Sequence, residues 1–452
     1  GSGGVGLWME HSNTLISSSS GNITLNITGD MEIWGSTGSG NIPTISTAGS
    51  GNLNISTVNL DLNGSALKVQ NGDLTFAASG SDVFTSWASS FASNGTGNIN
   101  ITLTKPGATF HIGSDDVSST LLIGNPNSGI NHPTNGNISI TADNIVSHLN
   151  SSISTNGNLT VKPFTSSRDV DIGLGASSGY LNLSKQFVNI ISANTLLIGA
   201  SSNSVYISDS LESSSSSDAL YGVSNIKFNG PTLIGSSSSY GVVIQISVAG
   251  SIWFNSTVND TVAAGNNSLV VSSDPGLWGA TNFAGIVGGV RPLNTLITNG
   301  LVNLRADITT TGSQTYNDDV YLYATAQEIA SNTVTINSGA ANLVFNGNVG
   351  AGNGMAGVVS FSIAPSVNTQ ITTLQKGIGQ AVGSDYRPKN LNIGGAVYLY
   401  GSVTTSGTQT YNGAVTLGAD TTLTASAGDI AFGSTVSGAH TLSATASGAT
   451  TF

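Results

Sequence analysis

The chain has 452 residues, 23 acidic against 11 basic for a formal net charge of -12, and no cysteine; only 8% of its residues are charged, where an average globular protein carries about 25%. Polarity comes instead from Ser, Thr, Asn and 58 Gly, yet 38% of residues are hydrophobic and the charge per residue is low, so a packed core is expected rather than disorder. The lack of any basic run argues against a nucleic-acid or anionic-membrane surface, and no apolar stretch approaches the roughly 18–20 residues of a membrane span.

The start, "GSGGVGLWMEHSN", has no basic segment followed by an apolar one, so no signal peptide is visible. Its first residues read as a cloning remnant and the last, "SATASGATTF", stop inside a pattern. The chain is therefore expected to be a piece of a longer protein. Absent cysteine fits a bacterial exported protein and a cytosolic one equally.

In residues 1–230 apolar and polar positions alternate with period two. "GNITLNITG" carries Ile23, Leu25 and Ile27, "GNINITLT" carries Ile99, Ile101 and Leu103, and "GNISITA" carries Ile138 and Ile140. Such alternation puts one set of side chains inside a strand and the other outside. The turn-plus-strand phrase recurs at Asn22, Asn52, Asn98, Asn137 and Asn158, with weaker copies at Asp73 and Asp429. Its copies lie roughly 20–40 residues apart, which predicts stacked coils of one to three short parallel strands rather than propeller blades. The fold class predicted is all-β, a parallel β-helix in which Asn, Thr and Ser form ladders along the turns.

Residues 231–300 are more apolar, with Trp253, Phe254, Trp278 and Phe283, and read as wider coils or as an excursion from the solenoid. In residues 301–452 the phrase "TTGSQTYNDDVYL" (310–322) returns as "TSGTQTYNGAVTL" (405–417). Each copy predicts a coil unit: a Gly turn, a polar segment, then a strand through Val320 and Leu322 or Val415 and Leu417. Gln314 with Gln409, and Tyr316 with Tyr411, are expected at equivalent positions on different coils, each Tyr half-buried at a structural corner. Sugar binding by the two tyrosines is the rival reading.

Nothing in the pattern of chemical groups points to catalysis, so the chain is read as a non-enzyme without metal or cofactor. The adjacent acids Asp115–Asp116 and Asp318–Asp319 sit on neighbouring strand positions, which face opposite ways and make no dyad. His11, His111, His132, His148 and His440 stand apart, without metal-ligand spacing. "GIVGGVRP" and "GNVGAGNGMAG" lack the Lys-Ser/Thr ending of a phosphate loop.

The Gly-Ser/Thr-Gln-Thr-Tyr-Asn phrase, followed by "VTLGADTTLTASAGDIAFGSTVSGAHTLSATASGATTF", resembles the repeats of large bacterial surface proteins of the filamentous haemagglutinin type. The resemblance is good over 405–452, fair over 308–349, and stylistic over 21–161. It implies a right-handed parallel β-helix, export through an outer-membrane secretion pore by two-partner secretion, a cell-surface location, and adhesion or biofilm cohesion. That family's secretion domain carries Asn-Pro-Asn-Gly-Ile; here "GNPNSGI" (124–130) has an inserted Ser and is read as a turn. Some relatives carry sugars on Asn-x-Ser/Thr triplets, which gives a use to those beginning at Asn22, Asn26, Asn54, Asn63, Asn94, Asn100, Asn137, Asn150, Asn158, Asn182, Asn255, Asn259 and Asn266.

The expectation is thus a rod of roughly 20 coils, at about 4.8 Å each on the order of 100 Å long, serving as a stiff adhesive or cohesive segment. Host or matrix glycans and other copies of itself are the candidate partners. An end-to-end filament subunit and a carbohydrate-binding or carbohydrate-cleaving β-helix are the alternatives. The second would need an acidic, aromatic-lined groove, and none is visible in the sequence.

Overall fold

The computed structural model describes residues 4–11, 13–35, 42–114, 121–124, 134–148, 150–173, 179–211, 220, 222–235, 241–245, 250–262, 265–273, 279–323, 333–339, 341–356, 358–364, 371–379 and 386–452. Among them short β-strands follow one another almost without interruption, and Lys185–Asn189 is the single helix. The chain divides into two compact units, Gly1–Tyr206 with Leu211–Asn229, and Ile207–Ser210 with Gly230–Phe452. Each is a parallel β-solenoid.

In the first unit the chain visits three faces in turn. Val5–Glu10, Asp30–Trp34, Leu60–Asn63, Asp82–Ser86, Thr109–Ile112 and Asn144–Ser147 stack in parallel on the first face. Leu15–Ser18, Thr44–Thr47, Ala66–Val69, Ser89–Ser93 and Leu121–Gly124 form the second. Ile23–Asn26, Leu53–Thr57, Leu74–Ala78, Ile99–Leu103 and Ile138–Thr141 form the third. The 11-residue strand Ser152–Lys162 serves two faces, with its register broken between Thr155 and Asn158.

The alternation read in the sequence sets this architecture. On the third face Leu53, Leu74, Ile99, Ile138 and Leu159 form one in-register column, and Ile55, Phe76, Ile101, Ile140 and Val161 the next. All ten are buried. Each fully buried side chain of this size contributes about 1.5–3 kcal/mol relative to exposure. The intervening Asn and Thr point out, so a one-residue slip would expose every column at once.

The second unit follows the same three-face path. One face holds Val242–Gln245, Leu269–Ser272, Leu296–Asn299, Gln314–Tyr316, Leu343–Phe345, Ile371–Leu374, Ala396–Leu399 and Val415–Leu417. Another holds Thr333–Asn337, Ser360–Ile363, Leu391–Ile393, Gln409–Tyr411 and Ile430–Phe432. Segment 231–300 contributes paired strands to this solenoid. Phe254 and Phe283 stand in register, rings stacked at 5.1 Å and 4°, both buried in the core; Trp278 lies outside the described residues.

Candidate functional site

The Gly-Asn phrase is a stacking device. Each Asn or Asp side-chain oxygen accepts the backbone N–H of its counterpart one coil on. Asn22 accepts from Asn52 (2.8 Å, 30 residues away) and Asn52 from Asp73 (2.8 Å, 21 residues). Asp73 accepts from Asn98 (2.9 Å, 25 residues), Asn98 from Asn137 (2.8 Å, 39 residues), and Asn137 from Asn158 (2.9 Å, 21 residues). The irregular spacing of the phrase is therefore the length of each coil. At four rungs the preceding glycine is required by close approach: a Cβ on Gly51, Gly72, Gly97 or Gly136 would lie 2.4, 2.1, 1.8 or 2.1 Å from the carbonyl oxygen of the glycine one coil earlier.

The repeated phrase of the second unit is an internal corner lock. The Tyr316 hydroxyl donates to Gln314 Oε1 (2.8 Å), and Gln314 Nε2 donates to Thr310 Oγ1 (3.0 Å) and to the Asn337 carbonyl (2.8 Å). The Tyr411 hydroxyl donates likewise to Gln409 Oε1 (2.9 Å), and Gln409 Nε2 to Thr405 Oγ1 (3.3 Å) and the Thr424 carbonyl (2.8 Å). All four residues are fully buried, so neither Tyr is half-exposed and neither can meet a sugar. Burial pushes both phenols far above their ordinary range, keeping them neutral donors. The local contacts match, but the positions differ: Gln314 pairs into the stack of Leu296 and Leu343, and Gln409 into that of Leu391 and Ile430. The phrase has moved to another face of the coil.

The acids and triplets also take structural places. Asp318 accepts the Asp319 N–H (2.8 Å), and Asp319 accepts the Asn348 N–H one coil on (2.7 Å). Asp115, Asp116 and His132, and most of "GNPNSGI", lie outside the described residues. Of the triplets, Asn22, Asn26, Asn137, Asn150, Asn158, Asn255 and Asn266 are exposed, and Asn54, Asn63, Asn94, Asn100 and Asn182 are partly buried. Asn259 is 7% exposed and its Oδ1 accepts the N–H groups of Val290 and Arg291 (3.1 and 3.2 Å), which closes it to modification in the folded chain.

What the sequence hides is the outer surface of the first face. Alternation turns every second residue outward, and coil stacking then aligns them. One outward row runs Trp8, Glu32, Asp61 and Phe84, and beside it runs Glu10, Trp34, Asn63 and Ser86. Phe84 stacks on His111 at 4.3 Å and 16°. Trp8, Trp34, Phe84 and Trp87 are 61%, 41%, 48% and 39% exposed. Trp34, Asp61, Phe84, Trp87, His111 and His148 border a groove of about 610 Å³.

Two features of this groove carry a cost. Trp87 and Ala88 hold φ of 48° and 51°, the left-handed region, at a corner where the preceding coil has Gly64 at 58°. A bulky side chain there costs of order 1–3 kcal/mol. Partial burial, then the neighbouring Glu32 charge, raises the Asp61 pKa above the usual carboxylate value; a hydrogen bond from Trp34 opposes this. Burial likewise lowers the His111 pKa, against the pull of the Asp82 carboxylate 3.8 Å away and with added repulsion from His148.

The groove can thus present flat apolar rings, a carboxylate, an amide and imidazoles to a polar ligand. Among the described residues no group of three or more His, Cys, Asp or Glu is placed to hold a metal ion, and no helix is long and apolar enough to cross a membrane. Set against protein-family models, curated proteins and solved structures, the chain matches none.

Proposed function

We propose that this chain is a structural and adhesive segment of a large secreted bacterial surface protein, whose stacked coils hold contact faces rigidly outside the cell. The observation that carries this reading is the coil-to-coil ladder from Asn22 to Asn158, in which every rung needs only its neighbour. A chain stabilised by nearest-neighbour stacking can cross an outer-membrane pore unfolded and then fold coil upon coil. The resemblance of 405–452 to haemagglutinin-type repeats supports the same reading, as does the low charge. Antibody-gold labelling and cryo-electron microscopy of native cells test it. The expected result is label on surface projections with layers about 4.8 Å apart along their axis. Label confined to the cell interior, or surfaces bare of such structures, would sink the proposal.

A further inference from the structure

We propose that the groove bordered by Trp34, Phe84 and Trp87 on the first face of the first unit binds a neutral oligosaccharide through its pyranose rings. The proposal deepens the adhesive reading above, on which it rests for where the glycan is met.

Exposed aromatic rings are the first argument. Aromatics make up 6% of the chain, yet two Trp and one Phe crowd one groove with 39–48% of their surface open. Leaving such faces in water forgoes burial, and clustered exposed apolar surface marks contact sites. Flat, rigid rings with a polar tip suit a ligand that is apolar on one side and polar at its edge, because stacking loses little side-chain entropy. A pyranose offers that combination: C–H groups on its faces and hydroxyls around its rim.

Polar geometry is the second. On the coils between and beside the rings stand the Asp61 carboxylate and the Asn63 amide, with Ser86 and His148 also on the border. They provide acceptors and donors for hydroxyls, and partial desolvation strengthens each bond.

Charge and size narrow the class. Among the described residues no Lys or Arg borders the groove, and Glu10, Glu32, Asp61 and Asp82 stand on the same face. This field repels sulfated, sialylated and uronic chains, so the ligand is not anionic, and neutral glycans are the class proposed. The volume of about 610 Å³ falls inside the usual range for small-ligand sites. Its walls come from five successive coils, a length of roughly 19 Å at about 4.8 Å per coil, which suits several sugar rings rather than one. The strained Trp87 corner fits a side chain held for contact, since a glycine would serve the turn alone.

The test uses the full chain on an array of neutral, sialylated, uronic and sulfated oligosaccharides, followed by calorimetry on the best neutral probe. Expected are neutral hits, a blue shift of tryptophan fluorescence on binding, and affinity reduced about tenfold or more by Phe84→Ala, Trp34→Ala and Asp61→Asn. Tyr398→Ala, an exposed aromatic of the second unit, should bind as the parent does. Circular dichroism on each variant separates lost binding from lost folding. No neutral hit, anionic hits alone, or groove variants that fold and bind like the parent would each overturn the proposal. Surface label on cells with no glycan bound would remove the groove and leave the adhesive segment. Glycan binding with no surface label would do the reverse.

Discussion

Tyr316 and Tyr411 show how one residue can look exposed and functional in a sequence and be neither. Each lies in a polar phrase, yet the side chain turns inward, and its hydroxyl is satisfied by a Gln two residues back. Tyr316→Phe leaves Gln314 Oε1 buried without the phenol donor, at an expected cost of about 1–3 kcal/mol, and Tyr411→Phe should cost the same. Chemical denaturation of both variants measures this; an unchanged midpoint would mean the hydroxyl bond contributes nothing. Asp61 behaves oppositely. Its folded pKa lies above its unfolded value, because burial first and Glu32 second disfavour the charge. The folded state is therefore penalised at neutral pH; the penalty fades as pH falls through the raised folded pKa and is gone below about 4, where the unfolded group is protonated too. Asp61→Asn should raise the melting temperature at pH 7 and bring the difference toward zero near pH 3. A variant less stable than the parent at pH 7 would show the charge to be paired.

At the scale of the turn and strand, the Gly-Asn pair has two separate duties. Asn or Asp supplies an acceptor to the next coil, and Gly lets two backbones meet. Asn98→Asp should be near neutral, as Asp73 fills the same role, whereas Asn98→Ala should cost about 1 kcal/mol by orphaning the Asn137 N–H. Gly97→Ala would place a Cβ 1.8 Å from the Gly72 oxygen. With backbone on both sides it cannot be relieved by a rotamer change, and a loss of at least about 1–3 kcal/mol is expected. Thermal melts of these three variants give the ranking; Gly97→Ala melting like the parent would disprove the close-approach account.

For the whole molecule, stability should follow a chain of near-identical neighbours. Val397 pairs with Val415, so residues 397–414 make one complete coil. Excising them joins equivalent points and should leave a folded protein with its parallel-β circular dichroism and a melting temperature lowered by a few degrees. Loss of the β signal would show that the coil is not the unit of folding. The same stacking brings distant residues together on the outside. Glu32 meets Asp61 across one coil, and Phe84 meets His111 across the next pair.

Those two scales mark what could be read in advance. Period-two alternation and the Gly-Asn recurrence determined that the chain is all-β, that coils stack in parallel, and which Ile and Leu face the core. They do so because each is a local rule of side-chain direction and turn chemistry. Coil length varies more than the expected regular coil, since successive rungs of the Gly-Asn ladder lie from 21 to 39 residues apart. The groove could not be read in advance. Its members, from Trp34 to His148, are spread over five coils of unequal length, so no fixed spacing links them. His111, His148 and His440 look solitary along the sequence because a coil of chain separates them from their neighbours, while the solenoid brings Asp82 beside His111, His148 near it, and Asp420 beside His440. The repeated Gln-Thr-Tyr-Asn phrase hid its place for a related reason: its copies share a corner, but the coils between them shift it to another face. Sequence determined what each strand turns inward; only the stacked tertiary structure decided which outward residues meet, because that depends on the length of every coil in between.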